Sequence, residues 1–217
     1  MPRVHAGDAP RLAALAVGLA LATAGGSALA TDYPVTSQVT INGIAFDLPT
    51  GGTFGDSTYD TDTGSLSAGQ FTLPQGEVSF DSDVGQIVAT YRLSQTNTST
   101  GQVGTDGIAS LSQATMKLQI LSALVGGLVP IPIGTCVFEP IDLFLVGTAS
   151  SSEMVVSDPA FSVPPVAATD CGGYGDQINA LIVGSANAIE FHLAGDFTPP
   201  AAVDPDVIFQ NGFESSP

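Results

Sequence analysis

The chain is short of the side chains on which most active sites depend. Its 217 residues include four Lys and Arg, two His, two Cys and no Trp, against twenty-one Asp and Glu. Binding to phosphate backbones depends on Lys and Arg displacing counterions, so a chain this poor in cations is not expected to bind nucleic acid. Adsorption to anionic lipid headgroups is disfavoured for the same reason. Neither the Gly-x-x-x-x-Gly-Lys-Ser/Thr phosphate loop nor the Gly-x-Gly-x-x-Gly fingerprint occurs, so no nucleotide cofactor is expected. A Gly-x-Ser-x-Gly nucleophile elbow is also missing. Carboxylates are plentiful enough for glycoside hydrolysis, but the lack of Trp and the four Tyr leave few aromatic platforms for a sugar.

What is present begins at the N-terminus. Arg3 and Arg11 lead into the apolar run Leu12 to Ala24, and Ala28-Leu29-Ala30 has the small-residue form of a cleavage site. Residues 1–30 are therefore expected to be a signal peptide, and the protein to be secreted or placed in a cell envelope. Cleavage removes Arg3, Arg11, His5 and Asp8. Arg92 and Lys117 are then the remaining basic residues against twenty acids, and His192 the remaining histidine. The acids are spread from Asp32 to Glu214, as on a solvated surface.

In an oxidising compartment Cys136 and Cys171 are expected to pair. No metal site is expected, because one histidine and two bridged cysteines do not make a closed zinc site. Asp56, Asp60 and Asp62, and separately Asp81 and Asp83, offer oxygens to calcium, but Asp is also an ordinary turn residue and that reading is preferred.

The periodicity is that of strands. Ile87, Ala89, Tyr91 and Leu93 alternate, as do Ala114 to Ile120, Ile141 to Gly147, and Ile189 to Leu193. Shorter strands are expected at Phe71–Leu73, Val78–Phe80, Met154–Val156 and Phe161–Val163, about ten in all. Asn42-Gly43 suits a two-residue turn that pairs Ile41 with Ile44 and Val39 with Phe46, with a single bulged strand as the alternative. Thr61 to Leu66 and Thr98 to Val103 share a T-x-T-G-x-apolar pattern and read as hairpin tips. Tyr174, Ile178, Leu181 and Ile182 fall at helical spacing, with Asp176 in the first turn and Gly184 as a stop. The expected fold is all-β, an antiparallel β-sandwich or flattened barrel, with one short helix near residues 175–183. Residues 31–197 form the β domain; residues 198–217 read as a Pro-rich linker and tail.

From Leu118 to Phe138 no residue is charged. Gly126, Gly127, Pro130, Pro132 and Gly134 break any spanning helix, so no transmembrane segment is expected after signal cleavage. A buried strand followed by an extended Pro-rich connection is the preferred reading. The functional alternative is an apolar loop in which Leu124, Val125, Leu128, Val129 and Ile131 touch a ligand or partner. His192 follows Glu190 on the outward side of its strand, which points it to solvent.

The C-terminal segment Val207-Ile208-Phe209-Gln210-Asn211-Gly212-Phe213-Glu214 resembles the short I-F-x-[ND]-G-F-E tail of many otherwise unrelated secreted bacterial proteins. The body is similar to uncharacterised secreted bacterial β proteins through Cys136-Val137-Phe138-Glu139-Pro140-Ile141, Phe161-Ser162-Val163-Pro164, and Cys171-Gly172-Gly173-Tyr174-Gly175 leading into Asn187-Ala188-Ile189. These resemblances imply export, not a particular activity. The functional expectation is a non-catalytic secreted or envelope protein acting through its surface as a structural or adhesive module. The alternatives are a carrier of an apolar ligand and, third, a hydrolase using carboxylates.

Overall fold

The computed structural model describes residues 30–82 and 85–202. Residues 1–29, where the signal peptide is expected, Asp83 and Val84, and the residues from Val203 onward lie outside the described residues. Fifteen strands and one α-helix make up the described fold.

Eight antiparallel strands close a barrel. In spatial order they are β1 (Thr31–Ile41), β15 (Gly184–Ala194), β14 (Glu153–Val163), β13 (Val146–Ala149), β9 (Ile108–Leu111), β8 (Ser99–Val103), β5 (Ser65–Thr72) and β3 (Gly52–Ser57), which pairs back with β1. The closing pair sets Val35 opposite Leu193 and Val39 opposite Ile189. Closure removes the free sheet edges that an open sheet of this size would expose. Two short strands branch off: β2 (Ile44–Asp47) on β1, and β4 (Tyr59–Asp60) on β5.

A second antiparallel sheet runs β6 (Gly76–Ser82), β7 (Gly85–Gln95), β10 (Ala114–Val125) and β11 (Val129–Ile131), with β12 (Cys136–Leu143) also on β10. Its Tyr91, Met116, Phe138 and Leu143 share one continuous core with the barrel's Phe54, Phe71, Val156 and Phe191. Inside the barrel, Phe71 of β5 stacks on Phe191 of β15 with centroids 4.3 Å apart, although the two strands are not neighbours. An eight-stranded barrel is just wide enough for side chains to fill it, and these rings do so.

The Asn42-Gly43 hairpin pairs Ile41 with Ile44 and Val39 with Phe46, as its turn signal predicts. Other expectations need revision. Ile141 to Gly147 alternates in sequence but is not one strand: β12 ends at Leu143 in the second sheet, and β13 starts at Val146 in the barrel. Leu145 stays buried between them, so the apolar phase persists while the chain changes sheet. Met154–Val156 and Phe161–Val163 belong to a single strand, β14, interrupted by a register shift after Asp158. Of the two T-x-T-G segments, the first is a turn between β4 and β5, whereas the second enters β8 at Ser99 and sets Gly101 opposite Leu111.

The helix α1 (Gly175–Ile182) carries Asp176 in its first turn and packs Ile178 and Ile182 on the core. Cys136 and Cys171 are bonded and fully buried, tying the short 3-10 turn Cys171–Gly173 to β12. Gly172 has φ 68°, and a Cβ there would run into the carbonyl of Pro132. Glycine is therefore required where this turn crosses the apolar segment.

Candidate functional site

The uncharged run becomes a hairpin, not an extended connection. β10 continues to Val125, a turn through Gly126 and Gly127 at φ 60° and 70° reverses the chain, and β11 pairs Val129 with Val125 and Ile131 with Ala123. Two glycines in the left-handed region allow this tight reversal. Alternation then divides the five apolar residues singled out above. Val125 and Ile131 are half-buried against a small cluster of Ile87, Ala123, Ile133 and Phe80. Leu124 is half-buried on the opposite face, across from Val88. Leu128 is 85% exposed and Val129 62% exposed at the tip.

His192 lies on the outside of the barrel with its side chain 40% exposed. Nδ1 is 3.2 Å from Glu153 Oε2, and Nε2 is 3.0 Å from Glu190 Oε1. Partial burial acts to lower the imidazole pKa, but the hydrogen bonds and charges of Glu190 and Glu153 together outweigh it and raise the value above the ordinary 6.5. Both ring nitrogens face carboxylates, an arrangement that holds a proton rather than one that passes it to a nucleophile.

The aspartates near residue 60 act in turns. Asp60 Oδ1 accepts the Asp62 and Thr63 backbone N–H groups at 2.9 and 3.2 Å, and these bonds hold its carboxyl below the usual range. Asp32 Oδ1 accepts the Asp56 N–H at 3.3 Å. Among the described residues, no three His, Cys, Asp or Glu side chains gather in a way that would hold a metal ion.

No protein-family model, curated protein or solved structure matches the chain.

Two features lack a recognisable sequence signal. An open groove of about 540 Å³ runs beside Pro140, Asp142 and Phe144 on one side and Asp158, Pro164 and Pro165 on the other. At one end of the barrel Phe197 is fully buried, its ring 4.8 Å from Tyr33 and 5.4 Å from Tyr59. The Tyr59 hydroxyl donates to the Thr198 carbonyl at 2.8 Å, and Pro200 is buried nearby. The extended segment after Asp196 is therefore fastened to the barrel through residue 200.

Among the described residues no helix is long and apolar enough to cross a membrane. The Cys136–Cys171 disulfide by itself fits an oxidising, extracellular or envelope compartment.

Proposed function

We propose that this protein is an exported, non-catalytic module that acts by surface contact, structural or adhesive in role, with the β10–β11 hairpin as its contacting element. The observation that carries this reading is the tip itself. Leu128 and Val129 stand exposed at the end of a tight hairpin, inside a stretch with no charge from Leu118 to Phe138. Contiguous exposed apolar surface marks contact sites on soluble domains, and Leu128 and Val129 are adjacent at one hairpin tip. Filling of the barrel by Phe54, Phe71 and Phe191 favours this reading over a carrier with an apolar ligand inside. Export is supported by the Arg-flanked N-terminal run, the Ala28-Leu29-Ala30 site and the tail ending in Phe213-Glu214.

Fractionation of cells expressing the full-length chain tests the proposal. The mature protein is expected in the envelope or cell-surface fraction. Uniform recovery as free, unattached protein in the medium, with nothing captured by pull-down, would overturn it.

A further inference from the structure

We infer that residues 207–213 of the chain's own tail pack back on the outside of the barrel, over an uncharged strip on β8, β9 and β13. The contact is separate from the hairpin tip and does not depend on it.

The strip follows from the register. Gln102 of β8 stands opposite Ser110 of β9, Ser110 opposite Val146 of β13, and Ile108 opposite Thr148. All five are exposed and point outward, because their chain neighbours Val103, Ala109 and Leu145 are buried in the core. None of the five is charged. Ile108 and Val146 are each 54% exposed and lie on a diagonal of the β9–β13 pair, close enough for one apolar side chain to cover both. An open depression of about 330 Å³ beside Gln102 and Ser110 continues the strip between β8 and β9.

The occupant is set by where the chain leaves the barrel end. Pro199 packs beside Gly107, 3.6 Å from the point a Cβ there would occupy, and Gly107 directly precedes Ile108. Pro200 packs beside Gly64 at 3.1 Å, measured in the same way, and the Gln102 amide nitrogen lies 3.0 Å from that same point. Pro200 is buried and Ala201 and Ala202 are exposed, so the chain is fastened at the edge of the strip and released there. Residues 201–206 then separate this anchor from Val207. Extended chain covers about 3.3 Å per residue, so Val207 can reach about 23 Å from Pro200, while β8 and β13 are two strand spacings, about 10 Å, apart.

The chemistry of the segment matches the strip. Val207, Ile208, Phe209 and Phe213 are apolar, and Gln210-Asn211-Gly212 between them carries no charge. Tethering decides between this segment and a free partner. A short flexible linker holds its segment at an effective concentration on the order of millimolar, so a contact too weak to capture a dilute protein is still filled from within the chain.

The chain has no Trp, so Phe209→Trp in the full mature chain places a single indole at the proposed contact. Its emission is expected at shorter wavelength, and its acrylamide quenching constant several-fold lower, than in a capped peptide of residues 205–213 with the same substitution. Ile108→Asp and, separately, Val146→Asp are expected to return both readings to those of the peptide, because a carboxylate on the strip opposes burial against apolar side chains. Ile44→Asp, at an exposed apolar residue of β2, is expected to leave them unchanged. Circular dichroism establishes that each variant is folded, and a dilution series separates contact within one chain from contact between two. The inference fails if the indole is quenched as freely as in the peptide, if neither Ile108→Asp nor Val146→Asp releases it, or if Ile44→Asp releases it equally. Protection that disappears on dilution would also overturn it, by assigning the strip to the tail of a second copy.

Discussion

Gln95, the last residue of β7, accepts the Phe71 backbone N–H through its side-chain oxygen at 2.7 Å and so joins the second sheet to the barrel. Its amide nitrogen donates to the Ser99 hydroxyl at 2.8 Å, and its backbone carbonyl accepts from Gln70 at 2.8 Å. The side chain is buried, so β5, β7 and β8 are held together at a point where no ladder connects the two sheets.

Gln95→Leu keeps the volume but leaves the Phe71 N–H without an acceptor in the core. An unsatisfied buried donor costs about 1–3 kcal/mol. The urea midpoint is expected to fall by that amount divided by an unchanged m value. A midpoint equal to that of the parent would mean that the two sheets are held by apolar packing alone.

The disulfide closes a loop between residues 35 apart in sequence. On the chain-entropy account such a link contributes about 4 kcal/mol. Replacing Cys136 and Cys171 together by Ala is expected to lower unfolding stability by that order. Thiol titration of the unreduced, unfolded protein is expected to find no free thiol, since these are the chain's two cysteines and they are bonded to each other.

Much of the fold was legible because half-buried strands alternate, as Ile87 to Leu93 and Ile189 to Leu193 do. The Asn42-Gly43 register was legible because a two-residue turn fixes it locally. Barrel closure was not. It rests on Val35 meeting Leu193 and Val39 meeting Ile189, pairings between the two ends of the domain that no local pattern encodes. The change of sheet between Leu143 and Val146 was hidden for a related reason: burial continues through Leu145 while the hydrogen-bonding neighbours change. At the candidate sites, the apolar run announced Leu128 and Val129, and glycine content hinted at their turn. The groove gave no signal, because Asp142, Phe144 and Asp158 meet only through tertiary packing.

His192 gives a pH prediction whose sign follows from its two carboxylate neighbours. Its folded pKa is raised, so the fold binds the imidazole proton more tightly than the unfolded chain does. The resulting stabilisation is complete below the ordinary value of 6.5 and is lost as pH rises through the higher folded value. Because the ring is substantially exposed, solvent screens the effect and the contribution is small. In proton-detected titrations His192 is expected to titrate above 6.5 and to shift downward in Glu190→Gln. His192→Gln is expected to remove the decline in melting temperature across that window.

The proposed contact role of the hairpin separates from stability. Leu128 and Val129 are largely solvated in the fold, so Leu128→Asp with Val129→Asp is expected to change unfolding stability by no more than about 0.5 kcal/mol. The same double change places two charges on the proposed contact surface. Envelope retention is expected to drop while the circular dichroism spectrum stays the same. Retention equal to that of the parent would assign contact to another face.

Phe197 decides where the folded body ends. Prolines at 199 and 200 gave the segment the look of a linker, yet the Phe197 ring is fully buried between Tyr33 and Tyr59, and its N–H bonds the Ser150 carbonyl at 2.9 Å. Removing a buried aromatic ring costs about 3–5 kcal/mol, through lost transfer energy and the cavity left behind. Phe197→Ala is therefore expected to destabilise the whole barrel by that amount, whereas Ala201→Gly, one residue past the buried Pro200, is expected to fall within about 0.5 kcal/mol. The contrast has a mechanical origin. Phe197 packs on Tyr33 of β1 and Tyr59 of β4 within the core cluster, so its loss opens the core to water, while Ala201 is exposed and outside that cluster. Chemical denaturation of the two variants side by side checks both values, and equal midpoints would place the end of the cooperative unit before residue 197.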